Sequence, residues 1–182
     1  KACDASQGGM ISILGLERSK VEAACRQHKV EVANYLAQNN IVISGQKGPL
    51  EEAAKRCFEL GAKRTIPLKV AGAYHSALMK PAEDELQSAF DSTKFCDARV
   101  PFVSNAIVKS LTCGDEIKRV MRRQITSPVY FEDSVKLMEQ SGIQYVVEFG
   151  PGAVLSGLIR RICPNVKAAC IQSVQDCEKF CW

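Results

Sequence analysis

Through the first seventy residues the hydrophobic pattern changes period in a definite order. Residues 9–16 form a short apolar run suited to a buried strand, and 17–29 place Val21, Ala24 and Cys25 on one helical face. Two β-branched runs follow, 30–35 and 41–44, joined by a hairpin-length segment, Leu36-Ala-Gln-Asn-Asn40. Residues 49–60 carry a proline near the start, acidic residues behind it and Gly61 as a stop, which are helix-terminus signals. Residues 64–70 read as a strand again. The order β-α-β-β-α-β is the split, or ferredoxin-like, arrangement.

Beyond Ala71 the pattern becomes an alternation of helices and strands. Helices are expected over 82–92, 115–125, 131–140 and 154–162, and strands over 100–105, 145–149 and 168–173. Such alternation predicts a parallel sheet with both faces covered. The expected architecture is α/β: a ferredoxin-like subdomain over 1–71, then part of an α/β-hydrolase-like parallel-sheet subdomain over 72–182.

Composition narrows the function classes. Among 182 residues, 24 Lys and Arg against 20 Asp and Glu leave a net charge of +4, too mild to mark a nucleic-acid binder. An apolar fraction of 46% supports a buried core, and no apolar run approaches the roughly 18 residues of a membrane span. The nine cysteines are odd in number and show no C-x-x-C, which argues against a disulfide framework or a zinc ribbon and for a reducing compartment. Most, including Cys25 and Cys170, lie in apolar stretches that suit small core thiols. Cys177 and Cys181 are spaced to share a helix face, and two thiols alone make a poor metal site. No metal or cofactor is expected. The chain opens at Lys1 without a signal core or transit character, and it reads as the middle of a longer polypeptide.

Of the two histidines, His28 lies at the polar end of a helix and reads as a surface residue. His75 follows a strand end, in a small-residue turn that opens into a helix. It is either a capped turn histidine or a general base serving a hydroxyl nucleophile. Its surroundings, Gly72-Ala-Tyr-His-Ser-Ala-Leu-Met79, resemble the histidine motif of malonyl-CoA:acyl carrier protein transacylases and polyketide acyltransferase domains. Four further stretches resemble that family in the same order: Gly8 to Leu16; Val30 to Tyr35 with Ile41 to Gly45; Arg123-Gln-Ile-Thr-Ser-Pro-Val129; and Glu148-Phe-Gly-Pro-Gly152 with Leu155 to Ile162.

The resemblance implies a two-step acyl transfer, in which a serine takes malonyl from CoA and passes it to the phosphopantetheine thiol of acyl carrier protein. His75 would be the base, and Gln124 would orient the imidazole through its backbone carbonyl. Asn34 would fall in the loop lining the acyl and pantetheine channel, and Tyr74 would favour malonyl over branched units. The family works in bacterial cytoplasm, plastids and mitochondria.

This sequence holds no G-x-S-x-G, so the resemblance covers the C-terminal two-thirds of the enzyme without its nucleophile. A preceding segment or a companion chain is the expected source of the serine. Ser76 adjoins His75 in a turn and is not expected to face it. Gly150-Pro-Gly152 lacks the residues of a phosphate loop and reads as a tight turn. Lys118, Arg119, Arg122 and Arg123 make one helix basic, as a solvated face or as a docking surface for the acidic carrier protein. Two other readings remain open: an inactive transacylase-derived structural subunit, and a carrier-protein-binding module without chemistry.

Overall fold

The strand residues of the first seventy alternate between two buried faces of one sheet. The computed structural model describes residues 8–180, so Cys3 and Cys181 lie outside the described residues. Strands β1 (Gly8–Leu14), β2 (Glu31–Ala37), β3 (Asn40–Gln46) and β4 (Arg64–Pro67) assemble in the order β4-β1-β3-β2, with antiparallel neighbours. Helices α1 (Arg18–His28) and α2 (Lys47–Glu59) complete the predicted β-α-β-β-α-β order. Ile11 and Ile13 of β1, and Ile41 and Ile43 of β3, point to the helices and join Val21, Cys25, Leu50 and Cys57 in one core. Ile13 and Ile43 have no exposed surface, so each stabilises the fold by roughly 1.5–3 kcal/mol. The intervening Met10, Ala33 and Val42 face the other side, where Leu36 and Tyr74 cover them.

The hairpin between β2 and β3 is tighter than expected. Only Gln38 and Asn39 lie outside the strands, and Asn39 takes a left-handed φ of 57°. Asn34 is therefore in β2 and not in a loop, at a bulge between Val32 and Asn34.

A fifth strand, β7 (Val129–Tyr130), comes from far along the chain and pairs in parallel with β2, Asn34 opposite Val129 and Tyr35 opposite Tyr130. The Tyr35 and Tyr130 rings stack at 5.0 Å, and the Arg18 guanidinium lies 3.9 Å from the Tyr35 centroid. Arg18 also reaches Glu22 at 2.9 Å and Asp133 at 3.2 Å, so one cation ties α1, β2 and α5 (Phe131–Gln140) together.

Between these pieces run a single 3-10 turn at Ala77–Met79, α3 (Lys80–Ser92), the antiparallel hairpin β5 (Phe102–Ser104) and β6 (Lys109–Leu111), and α4 (Gly114–Arg122). The expected 100–105 strand is thus half of a small hairpin and not a member of a parallel sheet. Beyond α5 come β8 (Tyr145–Phe149), α6 (Val154–Ile162), β9 (Lys167–Ile171) and α7 (Val174–Lys179). β8 and β9 form a parallel pair with no third strand among the described residues. The expectation that both sheet faces are covered is corrected at β8, where Tyr145 is 43% and Phe149 72% exposed, since no described element covers the face they share. Val135, Ile159, Cys163 and Val166 make a second core beneath this pair.

Three of the seven described cysteines, Cys25, Cys57 and Cys163, are buried. Cys170 is half-buried and Cys96, Cys113 and Cys177 are exposed, so core packing accounts for fewer of them than expected. His28 also departs from its surface reading, since its Nε2 is buried without a hydrogen-bond partner. Among the described residues no helix is long and apolar enough to cross a membrane.

The Gly150-Pro-Gly152 turn is organised by a carboxylate. Glu148 accepts from the Ser156 N–H at 2.7 Å, the Ser156 hydroxyl at 2.7 Å and the Leu155 N–H at 3.1 Å, capping the first turn of α6. The Ser156 donors, backbone first, hold the Glu148 carboxyl below its usual value of 4.5. A lowered folded-state pKa gives stability that is present above about pH 4.5 and lost as pH falls through the folded value. Glu148→Gln should therefore melt below the parent at neutral pH. That gap should close in acid below pH 4.5, as followed by denaturation midpoints across a pH series.

Candidate active site

His75 sits in a backbone conformation that its residue type disfavours. Its φ is 59°, in the left-handed region where a side chain with a Cβ costs roughly 1–2 kcal/mol. The cost is offset by bonds to one segment, residues 124–127, that follows α4. The His75 N–H donates to the Ile125 carbonyl at 3.0 Å. Its Nδ1 lies 3.0 Å from the Gln124 carbonyl oxygen and 3.1 Å from that of Ser127. Carbonyl oxygens only accept, so Nδ1 carries a proton, and in the neutral ring Nε2 holds the lone pair. The ring is held in the tautomer a general base requires, by neutral backbone groups where a triad would use a carboxylate.

The 124–127 segment is fixed in turn. The Thr126 hydroxyl donates to Glu83 on α3 at 2.5 Å, and Glu83 pairs with Lys80 at 2.8 Å. Pro128 then leads into β7, which the sheet holds. Gln124 meets His75 through its backbone carbonyl. Its side-chain Nε2 is instead buried without a partner. Ser127 and Ile125 escaped notice because a backbone acceptor leaves no residue-type signature.

The other candidates fall around this centre. Tyr74, directly before the histidine, packs with Leu36 against Met10, Ala33 and Val42 on the sheet face opposite α1 and α2. Asn34 is half-buried in β2, between Val42 of β3 and Val129 of β7. Helix α4 runs directly into the turn at Gln124. Lys118 donates to the Thr93 carbonyl at 3.2 Å and Arg122 pairs with Asp91 at 3.3 Å, whereas Arg119 and Arg123 are exposed.

Two in-chain alternatives to a serine nucleophile are occupied elsewhere. The buried Ser76 hydroxyl donates to the Ala73 carbonyl at 2.6 Å. Cys25 shares with His75 the lining of a cavity of about 290 Å³, but burial pushes its thiol up to about 12, so it stays protonated. Among the described residues no group of three or more His, Cys, Asp or Glu side chains is placed to hold a metal ion.

No family model matches the chain. Over 174 residues it is 37% identical to the malonyl CoA-acyl carrier protein transacylase of Staphylococcus aureus, an alignment covering 93% of this chain and 56% of the relative. The chain is homologous to the malonyl-CoA:acyl carrier protein transacylases. An acyl carrier protein S-malonyltransferase from Vibrio cholerae superposes with a TM-score of 0.91 at 35% identity, covering 95% of this chain and 58% of that one. A malonyl-transacylase solved in complex with a type II polyketide acyl carrier protein gives a TM-score of 0.89 at 33% identity, covering 93% and 56%. The chain therefore spans a little over half the length of the transacylases it matches.

Proposed function

We propose that this chain is the histidine-bearing portion of a malonyl-CoA:acyl carrier protein transacylase of type II fatty acid or polyketide synthesis, at work in the bacterial cytoplasm or an organelle matrix. The observation that carries the reading is the His75 ring, whose Nδ1–H is shared between the Gln124 and Ser127 carbonyls while Nε2 keeps a lone pair. In the first half-reaction His75 Nε2 takes the proton of a serine hydroxyl supplied outside this chain, as the serine oxygen attacks the malonyl thioester. The C–S bond breaks and the imidazolium returns the proton to the CoA sulfur. In the second half the carrier protein's phosphopantetheine thiol gives its proton to His75 and takes the malonyl group. Serine leaves with the proton returned.

In this reading residues 1–71 are a ferredoxin-like subdomain and 72–182 the C-terminal part of the α/β subdomain. Asn34 and Tyr74 line the acyl and pantetheine channel. The basic residues Lys118, Arg119, Arg122 and Arg123 meet the acidic carrier protein, with the exposed Arg119 and Arg123 free to steer it. The exposed Phe149, Val154 and Leu155 supply apolar surface for the serine-bearing part to cover.

Intact mass after incubation with malonyl-CoA tests the first half, on the natively isolated protein with whatever chain it is joined to. A malonyl adduct is expected there, and holo-carrier protein should discharge it. Arg119→Glu with Arg123→Glu should slow the discharge about tenfold at low salt and leave loading unchanged. Folded protein without an adduct would favour the structural subunit. Carrier binding that survives His75→Ala without any adduct would favour the binding module.

A further inference from the structure

The segment at residues 124–127 holds His75 from one side only. On the other side the chain leaves His75 through Ser76 into the 3-10 turn Ala77–Met79. A turn of this kind begins with backbone N–H groups that need acceptors. Ser76 stands at the cap position and its carbonyl accepts from the Met79 N–H, but its side chain makes no cap bond; the hydroxyl turns back to donate to the Ala73 carbonyl at 2.6 Å. The acceptor comes from another element. Glu31, the first residue of β2, places a carboxylate oxygen 2.7 Å from the Ala77 nitrogen, across 46 residues of sequence. Glu31 and His75 line the same cavity of about 290 Å³.

We propose that Glu31 is a positioning residue for His75, a strap that anchors the histidine turn to the sheet. Glu31 pairs with Ser44 of β3, and β2 is held further along by β7 at Asn34 and Tyr35, so its first residue is tied into the sheet. The bond is charge-assisted, the stronger kind, and it ends two residues from a histidine at a φ of 59°. A strained left-handed residue persists only where its surroundings over-determine it. With the strap gone, the turn is free to rotate His75 away from the Gln124 and Ser127 carbonyls. The base role of His75 belongs to the function proposed above. The strap itself is read out on the ring and the backbone, so the two fail separately.

The test uses nuclear magnetic resonance of the 182-residue chain, following the His75 Nδ1–H proton signal and the exchange rate of the Ala77 amide. Glu31→Ala is expected to speed Ala77 exchange roughly ten- to a hundredfold, the worth of a hydrogen bond to a charged group, and to broaden the Nδ1–H signal. Glu31→Gln keeps an acceptor and should restore both. Ala77→Pro removes the donor instead, at a helix-start position that suits proline, and Ser76 before it is already extended at φ −135° and ψ 167°. It should broaden the Nδ1–H signal as Glu31→Ala does, and the double variant should be no worse than either single one. The proposal is overturned if Glu31→Ala leaves ring and amide unchanged, or if Glu31→Gln loses as much as Glu31→Ala. Should Glu31→Ala fail to fold, an unperturbed ring in Ala77→Pro overturns it equally.

Discussion

Replacing His75 with alanine is expected to lower malonyl transfer by roughly 10²- to 10⁴-fold, in a protein carrying both this chain and a serine-bearing segment. The expectation rests on what the ring alone can do. Nε2 is the lone-pair nitrogen of a histidine whose Nδ1–H is fixed by two carbonyls. The loss should appear in loading and discharge alike, since in the proposed reaction the same nitrogen handles the proton in both. Gln124→Ala supplies the contrast. Its contribution is a backbone oxygen, which alanine retains, and the substitution removes a buried amide nitrogen that has no partner. Transfer should stay within about threefold, because a lost unsatisfied donor costs nothing to remove. Rapid-quench measurement of each half-reaction separates the two variants. A His75→Ala protein with near-normal loading would remove the histidine from the mechanism.

Gly114→Ala should destabilise the fold by roughly 2–3 kcal/mol, lowering the melting midpoint by roughly 5–10 °C. Gly114 begins α4 and donates its N–H to the Asp97 carboxylate at 2.9 Å, so the helix start is pressed against the preceding segment. A Cβ there would meet the Phe95 carbonyl oxygen at 2.5 Å and the Cys96 carbonyl carbon at 2.9 Å. These are backbone atoms, and no rotamer change relieves them, so the helix has to move. Its C-terminus leads straight to Gln124, and the displacement should reach the His75 acceptors. Gly48→Ala, near the start of α2, is the control. Outside the adjoining residues its added methyl meets nothing within 4 Å, and alanine's helix preference is set against crowding by Pro49, so stability should stay within about 1 kcal/mol of the parent. Calorimetry of the two variants beside the parent decides the matter. A Gly114→Ala midpoint equal to that of Gly48→Ala would refute the packing argument.

What the sequence reveals here follows the length of each signal. The runs at 145–149 and 154–162 match β8 and α6 because five to nine residues of one period stand between clear breakers. Only β5 of the β5–β6 hairpin is legible, within the expected 100–105 strand, because the three residues of β6 are too few to show a period. Its turn also lacks glycine and sets the β-branched Val108 at φ 52°. β7 is shorter still, and only the tertiary pairing with β2 makes Val129 and Tyr130 a strand. His75 could be singled out from its turn and the resemblance around it. The second carbonyl at Ser127 could not, since backbone acceptors are supplied by any residue in the right place. Neither could the exposure of Phe149, because an apolar strand residue reads as buried wherever its neighbour is assumed.

The two-residue strand β7 has a kinetic meaning. Its partner β2 precedes it by about a hundred positions, so the contact closes a long loop, and closures of that kind come late in folding. The carbonyls that orient His75 lie immediately before this strand. Beside the Thr126–Glu83 bond, the stack of Tyr130 on Tyr35 and the Arg18 guanidinium over Tyr35 hold the strand that follows them. The geometry around His75 is therefore not built by the β-α-β-β-α-β unit alone. It depends on a small latch whose local opening can disarm the imidazole while the sheet behind it stays intact.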